Sequence, residues 1–167
     1  VSGSFLGNAQ FNANGTVDNS FSSVAGLSVR DLEIQPDGNI LIGGFLTGDT
    51  SSGVIKRLTT NGSVDGTFLS FLTNGSVEAL KVKSNGQILI GGTFSSVNGF
   101  SQGRLSLLNA DGSLDLTFNQ NSPGAGGGFS VAVRDIELAS DGKVIIGGRF
   151  LSFNGVSRTS VARLDTD

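Results

Sequence analysis

Asp37-Gly38-Asn39-Ile40-Leu41-Ile42-Gly43-Gly44 returns as Asn85-Gly86-Gln87-Ile88-Leu89-Ile90-Gly91-Gly92 and again as Asp141-Gly142-Lys143-Val144-Ile145-Ile146-Gly147-Gly148. Each copy joins a turn dipeptide to three apolar residues and a glycine pair. Such a run is strand-sized, and apolar on both faces, as expected of a strand covered on either side. The glycine pair marks a bulge or a close approach of backbone. The strand before each turn alternates instead: Leu32 and Ile34, Leu80 and Val82, Ile136 and Leu138 are separated by polar residues, which gives a half-buried strand. Asn-Gly and Asp-Gly are the strongest short hairpin signals, because both residues tolerate the positive φ of a type I′ turn.

A second frame agrees with the first. Asn14-Gly15-Thr16-Val17-Asp18, Asn61-Gly62-Ser63-Val64-Asp65 and Asp111-Gly112-Ser113-Leu114-Asp115 are each followed by a phenylalanine, and Phe21, Phe68 and Phe118 stand 47 and 50 positions apart. A third strand, Val54 to Leu58, Leu105 to Leu108 and Val161 to Leu164, leads into this turn except in the last copy. The chain therefore divides into a partial unit over 1–21 and units over 22–68, 69–118 and 119–167. Val1 to Phe5 matches the end of the first frame, and Ala9 to Phe21 the segment that follows it. Three to four short strands in about 50 residues describe an antiparallel β-propeller blade. The fold expected is all-β, with almost no helix and with the terminal phenylalanines wedged between neighbouring sheets.

Composition narrows the chemistry. The 167 residues include 26 Gly and 12 Phe but no Cys, Met, Trp, Tyr or His. Disulfides, thiolate zinc sites, Cys or His nucleophiles and imidazole switches are thereby excluded. The apolar runs are too short to cross a bilayer as helices. A net charge of −3, with Lys and Arg scattered singly, provides no footprint for nucleic acid. Absence of sulfur and of the large aromatics suits a protein exported in bulk. The chain starts at Val1, which fits a processed form or a fragment.

Together, the run Asp111 to Phe118, the run Ser140 to Phe150 and the segment Phe153-Asn154-Gly155-Val156-Ser157-Arg158 resemble the delta-60 repeats of predicted bacterial β-propellers. That resemblance covers essentially the whole chain and implies an exported, extracellular or cell-surface protein with no assigned activity. Three units and a part are fewer than the roughly four to eight blades of a free-standing ring. Partners are accordingly expected to be copies of the chain itself or the remainder of a longer chain.

Calcium is the one metal to weigh. Asn109, Asp111, Ser113 and Asp115 place oxygens at alternate positions around a glycine turn, loosely as cation-binding loops do. Asn12 to Asp18 has lost a carboxylate and Thr59 to Asp65 keeps only Asp65, a decay that favours plain turn chemistry. The long connection Asn119 to Val131 contains Gly124-Ala125-Gly126-Gly127-Gly128, which lacks the Lys-Ser or Lys-Thr and the helix of a phosphate cradle. A contact role is open to Asn119, Asn121 and Phe129, since loops on rigid scaffolds often bind. Asp31 with Glu33 and Asp135 with Glu137 share a strand face behind Arg30 and Arg134, and read as solvated or cross-strand pairs rather than as a general acid and base. Asn14, Asn61 and Asn74 are glycosylation sequons that matter only in a glycosylating host. No catalytic residue and no cofactor are expected. The function expected is a non-catalytic structural or adhesive extracellular module, able to assemble into filaments or layers through unpaired edges. The alternative is a glycan-binding propeller, with Phe100, Phe129 and Phe153 on exposed turns standing in for the missing Trp and Tyr.

Overall fold

The computed structural model describes residues 10–118, 123–127 and 130–165. Their strands are β1 (Leu27–Ile34), β2 (Ile40–Leu46), β3 (Asp49–Leu58), β4 (Phe71–Thr73), β5 (Val77–Val82), β6 (Ile88–Gly92), β7 (Ser96–Val97), β8 (Phe100–Ser101), β9 (Leu105–Leu108), β10 (Ala125–Gly126), β11 (Ala132–Leu138), β12 (Val144–Arg149), β13 (Ser152–Phe153), β14 (Val156–Ser157) and β15 (Val161–Leu164). No helix occurs among the described residues, and every strand pairing is antiparallel. The architecture is all-β, with a six-stranded sheet in the order β1-β2-β3-β4-β7-β8 and three-stranded sheets β5-β6-β9, β11-β12-β15 and β10-β13-β14.

Three meanders repeat the same order, β1-β2-β3, β5-β6-β9 and β11-β12-β15. Their registers coincide: Leu32 faces Ile42, Leu80 faces Ile90 and Ile136 faces Ile146. Each first strand carries a bulge at the same place, between Val29 and Asp31, Val77 and Ala79, and Val133 and Asp135. The bulge lies opposite the glycine pair. There, a Cβ on Gly92 would collide with the carbonyl oxygen of Ser76 and one on Gly148 with that of Ala132. Beyond the third strand, isolated bridges Leu58–Val64 and Leu108–Leu114 return the chain, and Phe11–Val17 repeats this in the partial unit.

The turns between first and second strands differ from the expected type I′. In the first, Gly38 N–H donates to the Gln35 carbonyl and Gln35 N–H to that of Asn39, while only Gly38 (φ +84°), and not Asp37, has positive φ. This is the three-residue loop, a type I turn closed by a left-handed glycine. Gly86, Gly112 and Gly142 sit in turns with the same pair of hydrogen bonds. Type I′ turns do occur, at Asn98-Gly99 and Asn154-Gly155, where both residues have positive φ. They close hairpins β7–β8 and β13–β14, in excursions between second and third strands that the repeat pattern does not reveal.

The apolar interior lies between meanders. Leu41 and Ile55 of the first pack with Val77, Leu80, Ile88 and Ile90 of the second. Ala79, Leu89, Leu105 and Leu107 of the second pack with Val133, Ile136, Val144 and Ile146 of the third. Alternate residues of each central strand thus serve two interfaces. At roughly 1.5–3 kcal/mol for a fully buried aliphatic side chain, these interfaces are the main source of cohesion.

Terminal phenylalanines pack against the turn of the following unit. Phe68 is buried, its ring lying against Gly112, and Leu69 N–H donates to the Asp111 carbonyl. Phe21, only half-buried, repeats this against Gly62, with Ser22 N–H on the Asn61 carbonyl. Arg57 spans the second such contact. Its guanidinium lies 4.9 Å from the Phe68 ring centre, while its nitrogens donate to Asp65 (2.7 Å) and to the Ala110 carbonyl (2.9 Å).

Candidate functional site

The residues weighed for calcium sit on one hairpin, and each has a side-chain polar atom engaged in a hydrogen bond. Oδ1 of Asp111 accepts from the Ser113 N–H (2.9 Å) and hydroxyl (2.7 Å), and Asn109 Nδ2 donates to Ser113 Oγ (2.9 Å). Oδ1 of Asp115 accepts from the Thr117 hydroxyl and N–H, and its Oδ2 from Gln87 Nε2 (3.2 Å). Both carboxyls are held below the usual Asp range, first by the neighbouring hydroxyl and then by its N–H. The pattern recurs where no carboxylate cluster exists: Asn14 and Asn61 accept from Thr16 and Ser63, and Asp18 and Asp65 from Ser20 and Thr67. A side chain that closes its own turn is the common element. Among the described residues, no group of three or more His, Cys, Asp or Glu could hold a metal ion.

The binding-loop residues Asn119, Asn121 and Phe129 lie outside the described residues. Part of the connection that contains them is not loop but strand. β10 pairs with β13, the Ala125 N–H donates to the Gly103 carbonyl, and Gly126 and Gly124 carbonyls accept from Leu151 and Asn154. Of the phenylalanines weighed for sugars, Phe100 is exposed, but Phe153 is buried, which overturns its assignment to an exposed turn. Pairing of β13 with both β10 and β14 turns its ring inward onto Phe150, edge to face at 6.2 Å. Sequon residue Asn74 is engaged too, accepting from Ser95 and Ser96 N–H at 2.8 Å.

A cavity of about 280 Å³ lies beside Phe118, lined by Phe153, Arg158, Arg163 and Asp165 among others. In the preceding units the corresponding phenylalanine carries the glycine turn of the next hairpin. The cavity adjoins Asp165, which aligns in sequence with Asn109, where the Gly112 turn begins.

Acidic residues on the first strands are brought together across sheets rather than across one ladder. β5 lies between β1 and β11. Lys81 Nζ stands 3.0 Å from Glu137 and 4.0 Å from Glu33, and Arg30 stands 3.9 Å from Glu78. Glu137 foremost raises the Lys81 pKa, through a direct hydrogen bond. Oδ2 of Asp31 accepts from the Leu80 N–H at 2.7 Å and its Oδ1 from Leu32 at 2.8 Å. These carboxylates tie neighbouring meanders together, and two of them, Glu33 and Glu137, meet at Lys81.

Both outer faces of the array carry exposed apolar residues. Leu32 is 48% exposed, whereas its counterparts Leu80 and Ile136 are 3% and 2%, and Ile34 is 66% exposed, where Val82 and Leu138 are partly buried. At the other end Ile145 is 36% exposed against 0% and 1% for Leu41 and Leu89. No pattern within one unit could reveal this, since exposure depends on which neighbours are present.

No curated protein matches the chain. Similar solved structures include a protein of unknown function from Bacteroides caccae, with a TM-score of 0.49, 13% identity, and 96% of this chain matched to 54% of that one. Another is PorZ, an essential bacterial surface component of the type-IX secretion system of Porphyromonas gingivalis, with a TM-score of 0.49, 14% identity, and 95% of this chain matched to 25% of that one. The chain thus spans about half of the first and a quarter of the second. The sequence profile described as "Domain of unknown function (DUF5122) beta-propeller" matches residues 35–68, 83–118 and 139–167, over each second and third strand and, in the first two segments, the closing turn. With more than half of its length so matched, the chain belongs to this β-propeller family.

Proposed function

We propose that the chain is a non-catalytic propeller module of an extracellular structural or adhesive protein, whose work is to pair with further blades. The observation that carries this reading is the contrast along the central strands, where Leu41 and Leu89 are covered by a following meander and Ile145 is not. Apolar faces of this kind are held apart from water in folded assemblies, and contiguous exposed ones mark contact surfaces. Further blades come from other copies or from the rest of a longer chain. Sulfur-free composition and the resemblance to exported delta-60 repeats support a location outside the cell. The carboxylates support a structural role, because those on the turns accept from their own Ser and Thr neighbours and those on the first strands bridge sheets.

Light scattering on the purified chain across a concentration series tests the pairing. Mass that rises with concentration is expected, and a compact monomer at the highest concentration counts against association between copies. Fractionation of the native host, with detection in the secreted or surface fraction, tests the location; retention in the cytoplasm would refute it.

A further inference from the structure

We propose that the open face of the third meander is a docking face for one kind of blade: one with a small residue where the second meander has Ala79 and a lysine where it has Lys81. The inference rests on the pairing role proposed above and names the partner's chemistry.

The interface between first and second meanders shows what such a face takes. A Cβ on Gly43 would lie 2.9 Å from Val77 Cγ1, and one on Gly91 would lie 2.7 Å from Val133 Cγ1, so each central glycine is a socket for the next blade's valine. At Gly147 the same Cβ would meet only Asp135 Cβ, at 3.7 Å. Around this socket, which no described residue fills, stand Ile145 and Val161, 36% and 59% exposed, where Leu41 and Ile55, or Leu89 and Leu105, are all buried.

Polar groups at the rim select among blades. Asp31 accepts from its own Leu32 N–H with one oxygen and from the Leu80 N–H of the next blade with the other. That second bond is possible because the second meander has Ala79 at this position, leaving the Leu80 N–H unclaimed by its own side chain. Asp135 repeats half of the arrangement. Its Oδ1 accepts from Ile136 at 3.0 Å, and its Oδ2 accepts nothing among the described residues. A blade of the second kind supplies the missing donor; one with an aspartate here keeps its N–H for itself. Two positions on, Glu33, Lys81 and Glu137 alternate in sign, and Lys81 reaches both neighbours. A lysine in the incoming blade continues the alternation against Glu137. A second copy docking in the same register by its own first meander brings Glu33 to Glu137 and Asp31 to Asp135, two like-charge contacts that make it a weaker partner than a blade with alanine and lysine at these places.

The chain's own repeats provide the probes. Leu164-Asp165-Thr166-Asp167 aligns with Leu108-Asn109-Ala110-Asp111, Leu58-Thr59-Thr60-Asn61 and the run ending at Asn14. Two extended proteins follow in register: the full chain with residues 62–118 repeated after Asp167, and the full chain with residues 15–68 repeated there. In both, Ile145→Cys reports coverage of the face through its rate of reaction with a maleimide. The first extension is expected to slow that reaction by at least about tenfold relative to the unextended chain, and the second to slow it far less. Swapping the rim inside the added copy should reverse the order, with Lys81→Glu in the first and Asp31→Ala plus Glu33→Lys in the second. Equal shielding by both extensions, or no effect of the swaps, overturns the selection rule. Absence of shielding by either overturns the docking face itself. Light scattering of the unextended chain reads the proposed association separately, so failure of that reading leaves this contrast interpretable.

Discussion

The Asp31 carboxylate receives the backbone N–H of Leu80 at 2.7 Å, a hydrogen bond from one meander to the next that no ladder within a sheet contains. It is flanked by the socket at Gly43 and by the Lys81–Glu33 pair, so apolar fit, backbone hydrogen bonding and charge act on one seam. Cohesion of the molecule should therefore depend more on residues at these seams than on equivalent residues at the open ends.

Truncation at corresponding positions tests that dependence. Leu89→Ala removes a side chain that is 1% exposed between the second and third meanders and should cost about 2–5 kcal/mol in denaturant unfolding. Ile145→Ala, at the same place in the third meander, should cost less than about 1 kcal/mol. Comparable losses would contradict the assignment of a covered and an uncovered face.

Adding a methyl group probes the sockets directly. Gly91→Ala drives a Cβ to within 2.7 Å of Val133 Cγ1 and should destabilise by about 1–3 kcal/mol. Gly147→Ala meets no atom closer than 3.7 Å and should be close to neutral. Thermal melts of the two variants give the comparison.

Reversal of the seam charge is a third test. Lys81→Glu exchanges attraction to Glu33 and Glu137 for repulsion and should lower stability by about 1–2 kcal/mol, an effect that shrinks in high salt. A loss independent of salt would show that Lys81 acts through packing of its stem instead.

Acid should weaken the fold through the turn carboxylates. The Thr67 hydroxyl, then its N–H and the Arg57 guanidinium, hold the Asp65 pKa down to about 2. Because the folded value lies below the unfolded one, near about 3.9, the contribution is complete above that pH and disappears as pH falls toward 2. Thr67→Val should raise the Asp65 titration midpoint seen by NMR and flatten the stability profile across that window. An unchanged midpoint would show that the hydroxyl does not hold the carboxylate.

Much of this organisation is legible in the sequence, and the reasons are local. Ile40-Leu41-Ile42 and its two copies declare a strand covered on both sides, and the register Leu32–Ile42 follows from the alternation before it. Turn type is less readable, because Asn-Gly serves both a two-residue and a three-residue loop. The choice depends on where pairing stops, at Gln35 with Asn39 in one case and at Val97 with Phe100 in the other. The β7–β8 and β13–β14 hairpins carried a legible signal in Asn98-Gly99 and Asn154-Gly155, hidden by their absence from the first unit, where Thr47-Gly48 joins β2 to β3 directly. Burial of Phe153 and the bridging role of Lys81 were not readable, since both depend on strands brought alongside from distant parts of the chain.

Thiol accessibility offers the most direct measurement of the shared interior. The chain contains no cysteine, so Leu89→Cys and Ile145→Cys each introduce a single thiol at the same position of successive central strands. With a following meander over Leu89 and none over Ile145, the thiol at 145 should react at a rate near that of an exposed cysteine and the thiol at 89 at least about a hundredfold more slowly. Equal rates under native conditions would contradict a fold in which each sheet is closed by the next.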